Sequence, residues 1–384
     1  MKIGILTQPL KNNYGGILQA YALQTVLSRL GHEVILINRT YAFPSLKIKC
    51  RRILSVLKAV YKIYLRKDRG YKIMNPFAYE FSNRTIIMEH SFVKKYIKLS
   101  KPLRSSRELK EYIKGVKHDC YIVGSDQVWR KPYSPQLTNF FLDFIVDEKD
   151  VKRIAYAASF GTDSWECDNE LTNKVALLAK KFDAISVREK SGIKLCNDYL
   201  RVEAKYVLDP TLLLTKDDYT ILYRDVVEDF SYKNKIMCYV LDENKELSLI
   251  AKHISELKKS EPLYVELYGC STKNSFQLTV EQWLKCIAES KFLITDSFHA
   301  CVFAIIFRKP FLVVGNISRG ITRILSLLED YDLGNRLVYS YKDFVRKKEE
   351  LLGQDWVCEN IENIINDKRR ESYEFLTNAI DGNP

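Results

Sequence analysis

The sequence lacks the signatures by which several common classes of protein are recognised. No apolar run approaches the roughly 20 residues that a membrane-spanning helix requires. The N-terminus has no basic segment followed by a continuous apolar stretch, so we expect no secretory signal. Neither GxGxxG nor GxxxxGKS/T occurs, and the usual fingerprints of dinucleotide-binding and P-loop proteins are therefore absent.

Cysteine is present but is not arranged for metal binding or cross-linking. The nine cysteines are scattered, with no CxxC pair and no Cys/His spacing of the kind found in zinc sites. We therefore expect no metal and no disulfide scaffold. The simplest interpretation is that they are small core residues in a reducing compartment, which favours a cytoplasmic protein.

Length and composition indicate a globular protein of two domains. At 384 residues the chain is longer than one hydrophobic core usually grows. The sequence is 46% hydrophobic and 28% charged, which is typical of globular domains that fold in water.

The net charge of +12 is concentrated in one segment. Between Lys47 and Lys117 there are 20 Lys or Arg residues against 5 Asp or Glu residues, whereas the rest of the chain has a net charge of −3. Apolar residues interleave with the basic ones, a pattern typical of an amphipathic helix on an anionic membrane or beside a phosphorylated acceptor. A solvated helix covering an edge of the first domain is the alternative. No recognition motif accompanies the charge, so we expect no nucleic-acid partner.

Apolar and helical segments alternate along the chain in the manner of α/β proteins. In the first half we predict strands at 3–6, 34–38, 120–123, 153–157, 184–187 and 206–208, with helices at 15–30 and 171–182. In the second half we predict strands at 235–241, 263–267, 291–295 and 311–314, with helices at 246–258, 279–289, 357–376 and from 300 and 318 onward. The pattern predicts two Rossmann-like domains that face a cleft.

The predicted domain boundary lies between residues 210 and 232. We assign 1–215 to an N-terminal domain with a basic helical insert at 44–118, and we expect it to bind the acceptor. Residues 216–340 form the C-terminal domain, the expected donor side. Residues 341–384 form a helical tail, whose last helix we expect to pack back across the first domain.

Four predicted strands end in polar turns, at 12–16, 124–129, 186–189 and 296–299. Ligands of open parallel sheets bind beyond the carboxyl ends of the strands, so these turns are candidate binding segments. In the first turn a glycine pair lets the backbone approach a ligand, and the helix that follows offers unpaired N–H groups. Tight turns and helix caps are the simpler alternative for each. The residues predicted to line the cleft or bind the acceptor are Asn13, Tyr14, Gly15, Gly16, Gln19, Ser125, Asp126, Gln127 and Trp129.

Five segments in a fixed order carry a resemblance to a known family. They are NYGGILQAYALQ at 13–24, YIVGSDQVW at 121–129, SVRE at 186–189, VLDPT at 207–211 and ITDSFHA at 294–300. With them the chain resembles the polysaccharide pyruvyl transferase family over nearly its whole length. The resemblance implies a fold similar to the two-domain GT-B glycosyltransferases. It also implies transfer of the pyruvyl group of phosphoenolpyruvate onto a sugar, usually as a ketal across two hydroxyls, with release of phosphate and without a metal or cofactor.

The resemblance assigns catalytic roles to two residues. Arg188 matches the family arginine that is expected to hold the phosphate or carboxylate of the donor, a task that suits the planar, bidentate guanidinium. His299 matches the family histidine, which is expected to act as general acid or base, because an imidazole exchanges protons near neutral pH. Whether it takes a proton from the sugar hydroxyl or delivers one to the enol carbon stays open.

One position departs from the family pattern. Many members have an arginine two residues before that histidine, where this chain has Ser297. The donor carries a phosphate and a carboxylate, so more than one cationic partner is expected. The predicted donor site therefore comprises Arg188, Ser297 and His299 together with Arg319 and Arg323 as replacements; Lys309 is a further candidate.

Three functions stay open at this stage. The leading one is pyruvylation of a surface polysaccharide or of its lipid-linked precursor, at the inner face of the cytoplasmic membrane. The second is a GT-B glycosyltransferase with a nucleotide-sugar donor, for which Glu281 and Glu289 are the nearest candidates to bind the ribose. The third is a non-catalytic subunit of the same fold. The sequence does not determine the oligomeric state.

Overall fold

Two parallel sheets, each of six strands, organise the chain. The computed structural model describes residues 1–10, 13–43, 53–58, 60–61, 91–227, 231–241, 245–266, 275–316, 320–353 and 359–382. Residues 44–52 and 62–90, which contain most of the predicted amphipathic part of the basic insert, lie outside these ranges. Its contact with a membrane or an acceptor therefore stays a prediction.

The first domain is built on a sheet whose strands are almost entirely apolar. Its elements are β1 (Lys2–Leu6), α1 (Tyr14–Arg29), β2 (Glu33–Leu36), α2 (Ser106–Gly115), β3 (Cys120–Val123), β4 (Lys152–Ala158), α3 (Asn169–Ala179), β5 (Ala184–Val187), α4 (Lys190–Leu195) and β6 (Lys205–Tyr206). The strands are all parallel, in the order β2-β1-β3-β4-β5-β6. All four residues of β3 are buried, because helices cover both faces of a parallel sheet.

The second domain repeats this arrangement. Its elements are α5 (Lys216–Tyr223), β7 (Ile236–Val240), α6 (Lys245–Lys258), β8 (Pro262–Glu266), β9 (Ser275–Phe276), α7 (Val280–Glu289), β10 (Phe292–Thr295), α8 (Phe298–Ile306), β11 (Phe311–Val314), α9 (Thr322–Asp330), β12 (Leu337–Val338) and α10 (Tyr341–Gly353). The strand order is β12-β11-β10-β7-β8-β9, again all parallel. The prediction of two parallel-sheet α/β domains is confirmed.

The C-terminal part of the chain divides between the two domains. Helix α10 packs on the second sheet through Phe344 and Leu351, which corrects the prediction that residues 341–353 belong to a tail. Helix α11 (Glu359–Asp381) crosses back to the first domain, as predicted. There the hydroxyl of Ser372 accepts a hydrogen bond from the Leu208 backbone N–H at 3.0 Å.

Two helices lie in the core between the sheets. In α1, 12 of the 16 residues are buried, and in α8 all nine are. Helices that are apolar on every side are enclosed by protein, and these two contact each other in one hydrophobic cluster that contains residues of both domains. The start of each helix is therefore held at the boundary between the domains.

Candidate active site

The strand orders place two switch points beside the same cavity. The first sheet reverses its order between β1 and β3, and the second between β7 and β10. Ligands of open α/β sheets bind beyond the carboxyl ends of the strands at such points. Gln8 and Asp126 follow β1 and β3, Leu241 and Asp296 follow β7 and β10, and all four line a cavity of about 290 Å³. This cavity is the candidate active site.

Several predicted site residues meet at the wall of the cavity. The first domain contributes the turn before α1 and the turn after β3, and the second contributes the start of α8 and the start of α9. The predicted residues at the wall are Asn13, Gly16, Asp126, Gln127, Ser297, His299 and Arg323. Arg319 lies outside the residues that the structure describes, so its role stays a prediction.

The glycine pair of α1 allows the two domains to approach closely. A Cβ at Gly15 would lie 2.1 Å from Cγ and Nδ1 of His299. A Cβ at Gly16 would lie 3.2 Å from Oδ2 of Asp126. The first turn of α1 thus packs directly against His299 and Asp126, and a larger residue at position 15 would push the imidazole away.

Arg188 occupies the centre of a buried ionic network. Its guanidinium donates to Oδ2 of Asp209 at 2.6 Å and to Oδ1 of Asp126 at 3.0 Å, and it is 0% exposed. Nε2 of His299 lies 3.5 Å from the same guanidinium and 3.7 Å from Oδ2 of Asp209. The hydroxyl of Ser125 is 3.0 Å from that oxygen. Arg188 therefore contacts carboxylates of its own chain and is not among the residues that line the cavity; its predicted contact with the donor stays a prediction.

The charges of this network keep both aspartates ionised. Burial alone would raise the pKa of the Asp126 carboxyl, but Arg188, His299 and Arg323 outweigh it and hold that pKa below its usual value. Burial likewise opposes ionisation of Asp209, yet its hydrogen bond with His299 and the charge of Arg188 hold its pKa far below the usual range. Asp126 thus faces the cavity as a carboxylate at neutral pH.

Arg323 is the cation at the cavity wall on the second domain. Burial and the nearby Arg188 lower its pKa to about 10, so it stays charged at neutral pH. Its guanidinium lies 5.6 Å from the ring of Phe298, and its Nε is buried without a hydrogen-bond partner in the described part of the chain. A buried donor of this kind is costly when it is unpaired.

Glu189, the neighbour of Arg188, has a structural task. Its Oε1 accepts hydrogen bonds from the backbone N–H groups of Phe160 and Gly161, at 2.7 and 3.2 Å. Burial raises the pKa of this carboxyl, against the opposing charges of Arg188 and Arg323. It holds the loop after β4 behind the cavity.

Local capping explains how the turn after β10 is held. Asp296 accepts from the backbone N–H of Leu241 at 2.7 Å, which ties β10 to β7. Ser297 is the N-cap of α8, and its hydroxyl accepts from the Ala300 N–H at 3.5 Å. The residue that replaces the family arginine therefore caps the helix that carries His299.

Five predicted cleft residues do not line the cavity: Gly15, which packs against His299, and four residues that lie behind the wall. Tyr14 is 2% exposed and reaches into the second domain, where it stacks on Trp283 at 5.2 Å and donates to the Leu278 carbonyl at 2.7 Å. Gln19 bonds the Ser125 backbone N–H and the Thr7 hydroxyl. The Ser125 hydroxyl belongs to the Arg188 network, and Trp129 stacks on Phe141. These residues hold the turns that line the cavity.

Sequence reasoning missed several residues of the site, among them Asp209, Tyr41 and Tyr133. Asp209 stands in the VLDPT segment directly after a predicted strand, and that position was a signal that it could reach the site. Tyr41 and Tyr133 line the cavity from loops of the first domain, and no motif marks either of them. Among the described residues, no group of three or more His, Cys, Asp or Glu is placed to hold a metal ion.

Comparison with known proteins identifies the family. The model of the polysaccharide pyruvyl transferase family matches residues 13–318, which contain Arg188 and His299. The chain belongs to the polysaccharide pyruvyl transferase family. This confirms the resemblance noted in the sequence. No curated protein matches the chain in sequence.

Solved structures similar to this pyruvyl transferase family member share its fold. A mutant of S. aureus TarM in complex with Fondaparinux, alpha-GlcNAc-glycerol and UDP is 10% identical, with a TM-score of 0.57 over 98% of this chain and 99% of that one. A UDP-GlcNAc 2-epimerase from Neisseria meningitidis bound to UDP-GlcNAc is 10% identical, with a TM-score of 0.52 over 98% and 100%. At this identity the similarity shows the GT-B fold alone.

None of the helices in the described part of the chain is both long and apolar enough to span a bilayer.

Replacing Gly15 with alanine tests the contact between α1 and His299. The new Cβ would lie 2.1 Å from the imidazole, so the ring has to move by about 1 Å, and such displacements cost about 100-fold in rate. We expect kcat/KM for transfer to fall by about that factor. Gly115→Ala is the control, since a Cβ there meets nothing within 4 Å. Full activity of Gly15→Ala would contradict this geometry.

Proposed function

We propose that the protein transfers the pyruvyl group of phosphoenolpyruvate onto a sugar of a surface polysaccharide or of its lipid-linked precursor, with release of phosphate. One observation carries the proposal: the cavity at both switch points has His299 on its wall together with a cation, Arg323, and a carboxylate, Asp126. A proton-exchanging group, an anion-binding group and a group that accepts hydrogen bonds from hydroxyls are the components that this transfer requires.

The donor is proposed to lie against the second domain. Phosphoenolpyruvate carries a phosphate and a carboxylate, and Arg323 offers a buried Nε that has no hydrogen-bond partner among the described residues. Ser297 carries no charge and therefore cannot form the ion pair that an arginine at this position would form. In our proposal Arg323, from the start of α9, replaces that missing charge.

The reaction balances with the groups at the site. One sugar hydroxyl oxygen bonds to C2 of phosphoenolpyruvate, and its proton ends on C3, so that the methylene becomes a methyl group. The second hydroxyl oxygen then bonds to C2, the bond from C2 to the phosphate oxygen breaks, and the second proton leaves with phosphate. His299 is proposed to exchange the protons, because its imidazole reaches the cavity beside the carboxylate of Asp126.

Arg188 is proposed to act as a positioning residue in the conformation described. It pairs with the carboxylates of Asp126 and Asp209, and Nε2 of His299 lies 3.5 Å from its guanidinium. A buried cation between two carboxylates fixes their geometry, because moving either would leave a charge unpaired.

The variant Arg323→Gln tests whether Arg323 binds the donor and not the acceptor. A hydrogen bond to a charged group contributes about 1.5–3 kcal/mol, so we expect KM for phosphoenolpyruvate to rise about 10- to 100-fold. KM for the acceptor should stay unchanged. Arg308→Gln is the control in the same domain, because this arginine is exposed and pairs with Glu362. A donor KM within twofold of the wild-type value would rule out Arg323 as the donor ligand.

The experiment that tests the function measures products rather than binding. The full-length protein is incubated with phosphoenolpyruvate and a panel of free and lipid-linked oligosaccharides, and phosphate release and product mass are measured. Phosphate release with a mass gain of one pyruvyl group is expected. UDP-sugars form the second arm. Neither Glu281 nor Glu289, the two residues suggested for a nucleotide-sugar donor, lines the cavity. Transfer of a hexose from a UDP-sugar would overturn the proposal.

A further inference from the structure

Two tyrosines of the first domain line the cavity. Tyr41 comes from the loop after β2 and Tyr133 from the loop after β3. His299 and Arg323 line the same cavity from the second domain. The proposed donor chemistry gives no role to either tyrosine.

Tyr133 is held as a rigid platform. The guanidinium of Arg130 lies 4.6 Å from the centre of its ring, so one face of the ring is covered. Arg130 is itself fixed, because it donates to both oxygens of Glu166 at 3.2–3.3 Å and to Oε1 of Gln127 at 3.2 Å. Tyr133 is 37% exposed, and its remaining surface is available to the cavity.

The second tyrosine is tied to the first. The hydroxyl of Tyr41 donates a hydrogen bond to the backbone carbonyl of Tyr133, which joins the two loops. Beside them the amide nitrogen of Gln8 donates to the Gln127 carbonyl at 2.8 Å and to the Ser134 hydroxyl at 2.9 Å. Both aromatic side chains thus stand on loops that hydrogen bonds hold in place, and binding does not have to order them.

We propose that Tyr41 and Tyr133 form the subsite for the pyranose ring of the acceptor. A pyranose has an apolar face of C–H groups and a polar edge of hydroxyls. The electron-rich face of a tyrosine attracts the C–H groups, and the carboxylate of Asp126 at the same cavity wall accepts hydrogen bonds from the hydroxyls. The subsite rests on the proposed function, since it takes the sugar to be the pyruvyl acceptor.

The position of the subsite also has a chemical consequence. A ring on the two tyrosines enters from the first domain, while the donor lies on the second, so the two substrates meet between Asp126 and His299. A flat nucleobase would also stack on a tyrosine. UMP is therefore one arm of the test, with the pyranose as the occupant that we propose.

The test measures sugar binding directly and without the donor. Methyl glucoside, methyl galactoside and methyl mannoside are titrated into the wild-type protein by saturation-transfer NMR. For the pyranoside that binds tightest, we expect Tyr133→Ala to raise Kd about tenfold, the scale of one aromatic contact together with its buried area. Tyr133→Phe keeps the ring and should stay within twofold. Tyr199→Ala is the matched control, because Tyr199 is 40% exposed and lies outside the cavity wall.

The kinetic readout separates this subsite from the donor site. In the transfer reaction, Tyr133→Ala should raise KM for the acceptor about tenfold and leave KM for phosphoenolpyruvate unchanged. Any of four results would overturn the subsite. They are equal changes in the KM values of donor and acceptor, an unchanged KM for the acceptor, binding of UMP in preference to the sugars, and no binding of any sugar to the wild type. Sugar binding that depends on Tyr133 in a protein without pyruvyl transfer would overturn the proposed function instead and leave the subsite standing.

Discussion

Replacing His299 with glutamine is expected to lower kcat for pyruvyl transfer by about 10²- to 10⁴-fold, the usual contribution of a general acid or base. Glutamine keeps a polar side chain of similar reach but exchanges no proton near neutral pH. The loss should be in kcat, with KM for phosphoenolpyruvate changed little, because the proposed donor contact is made by Arg323. Steady-state kinetics with phosphate release as readout measures both constants.

A second histidine in the same domain serves as the control. His253 bonds the Tyr341 hydroxyl at 2.9 Å and does not line the cavity, so His253→Gln should leave kcat unchanged. A kcat within threefold of the wild-type value would exclude His299 as the acid or base.

Replacing Arg188 with glutamine is expected to lower the free energy of unfolding by about 3–5 kcal/mol, the usual effect of removing one member of a buried ionic group. The side chain is 0% exposed and pairs with Asp126 at 3.0 Å and with Asp209 at 2.6 Å. Without it two carboxylates remain buried close to each other with no cation between them. Urea unfolding followed by circular dichroism measures the difference.

An exposed arginine provides the contrast. Arg107 pairs with Glu111 at 2.8 Å on the surface of α2 and is 87% exposed, so Arg107→Gln should leave the unfolding free energy nearly unchanged. Equal effects of the two substitutions would show that the buried network does not stabilise the fold.

The loss of unfolding free energy in Arg188→Gln should depend on pH, because the pKa values of the Asp126 and Asp209 carboxyls are shifted. In the wild type the pKa values of Asp126 and Asp209 lie below their usual value, so the associated stability is present above the unfolded pKa and is lost as pH falls through the folded pKa. In the variant, burial without the cation raises both pKa values, so the folded state takes up protons first and is stabilised by acid. The difference in unfolding free energy between the wild type and the variant should therefore shrink as the pH falls from about 7 to about 4. A difference that grows in acid would contradict the assignment.

Prediction from the sequence succeeded where the pattern is local. Strand β5 was predicted at 184–187 and β11 at 311–314, and both have these bounds, because short apolar runs between polar turns are typical of buried parallel strands. Helix α10 lies within the predicted helical tail, but its bounds and its packing on the second sheet were not predicted, since only Phe344, Leu351 and a few neighbours mark its buried face among many charged residues. Strand β12, of two residues, is too short to leave a periodic signal.

The candidate site, too, was predicted only where the pattern is local. Sequence motifs singled out Asp126, Arg188 and His299, because each follows an apolar strand in a polar turn. Periodicity and motif order carry no information on which of them faces the ligand and which binds another part of the chain. Arg188 was expected to face the donor, and in the structure it forms two ion pairs with aspartates from other strands.

The sequence by itself determined the α/β class, the family and the order of the polar turns, since these depend on the period of apolar residues and on short motifs. The tertiary structure decided which turns share one cavity, because strand order brings together residues as distant as Gly15 and His299. It also decided that Tyr14 anchors α1 in the second domain and that Tyr41 and Tyr133 meet at the cavity wall. Contacts of this kind depend on how two sheets face each other, and no local pattern of residues encodes that arrangement.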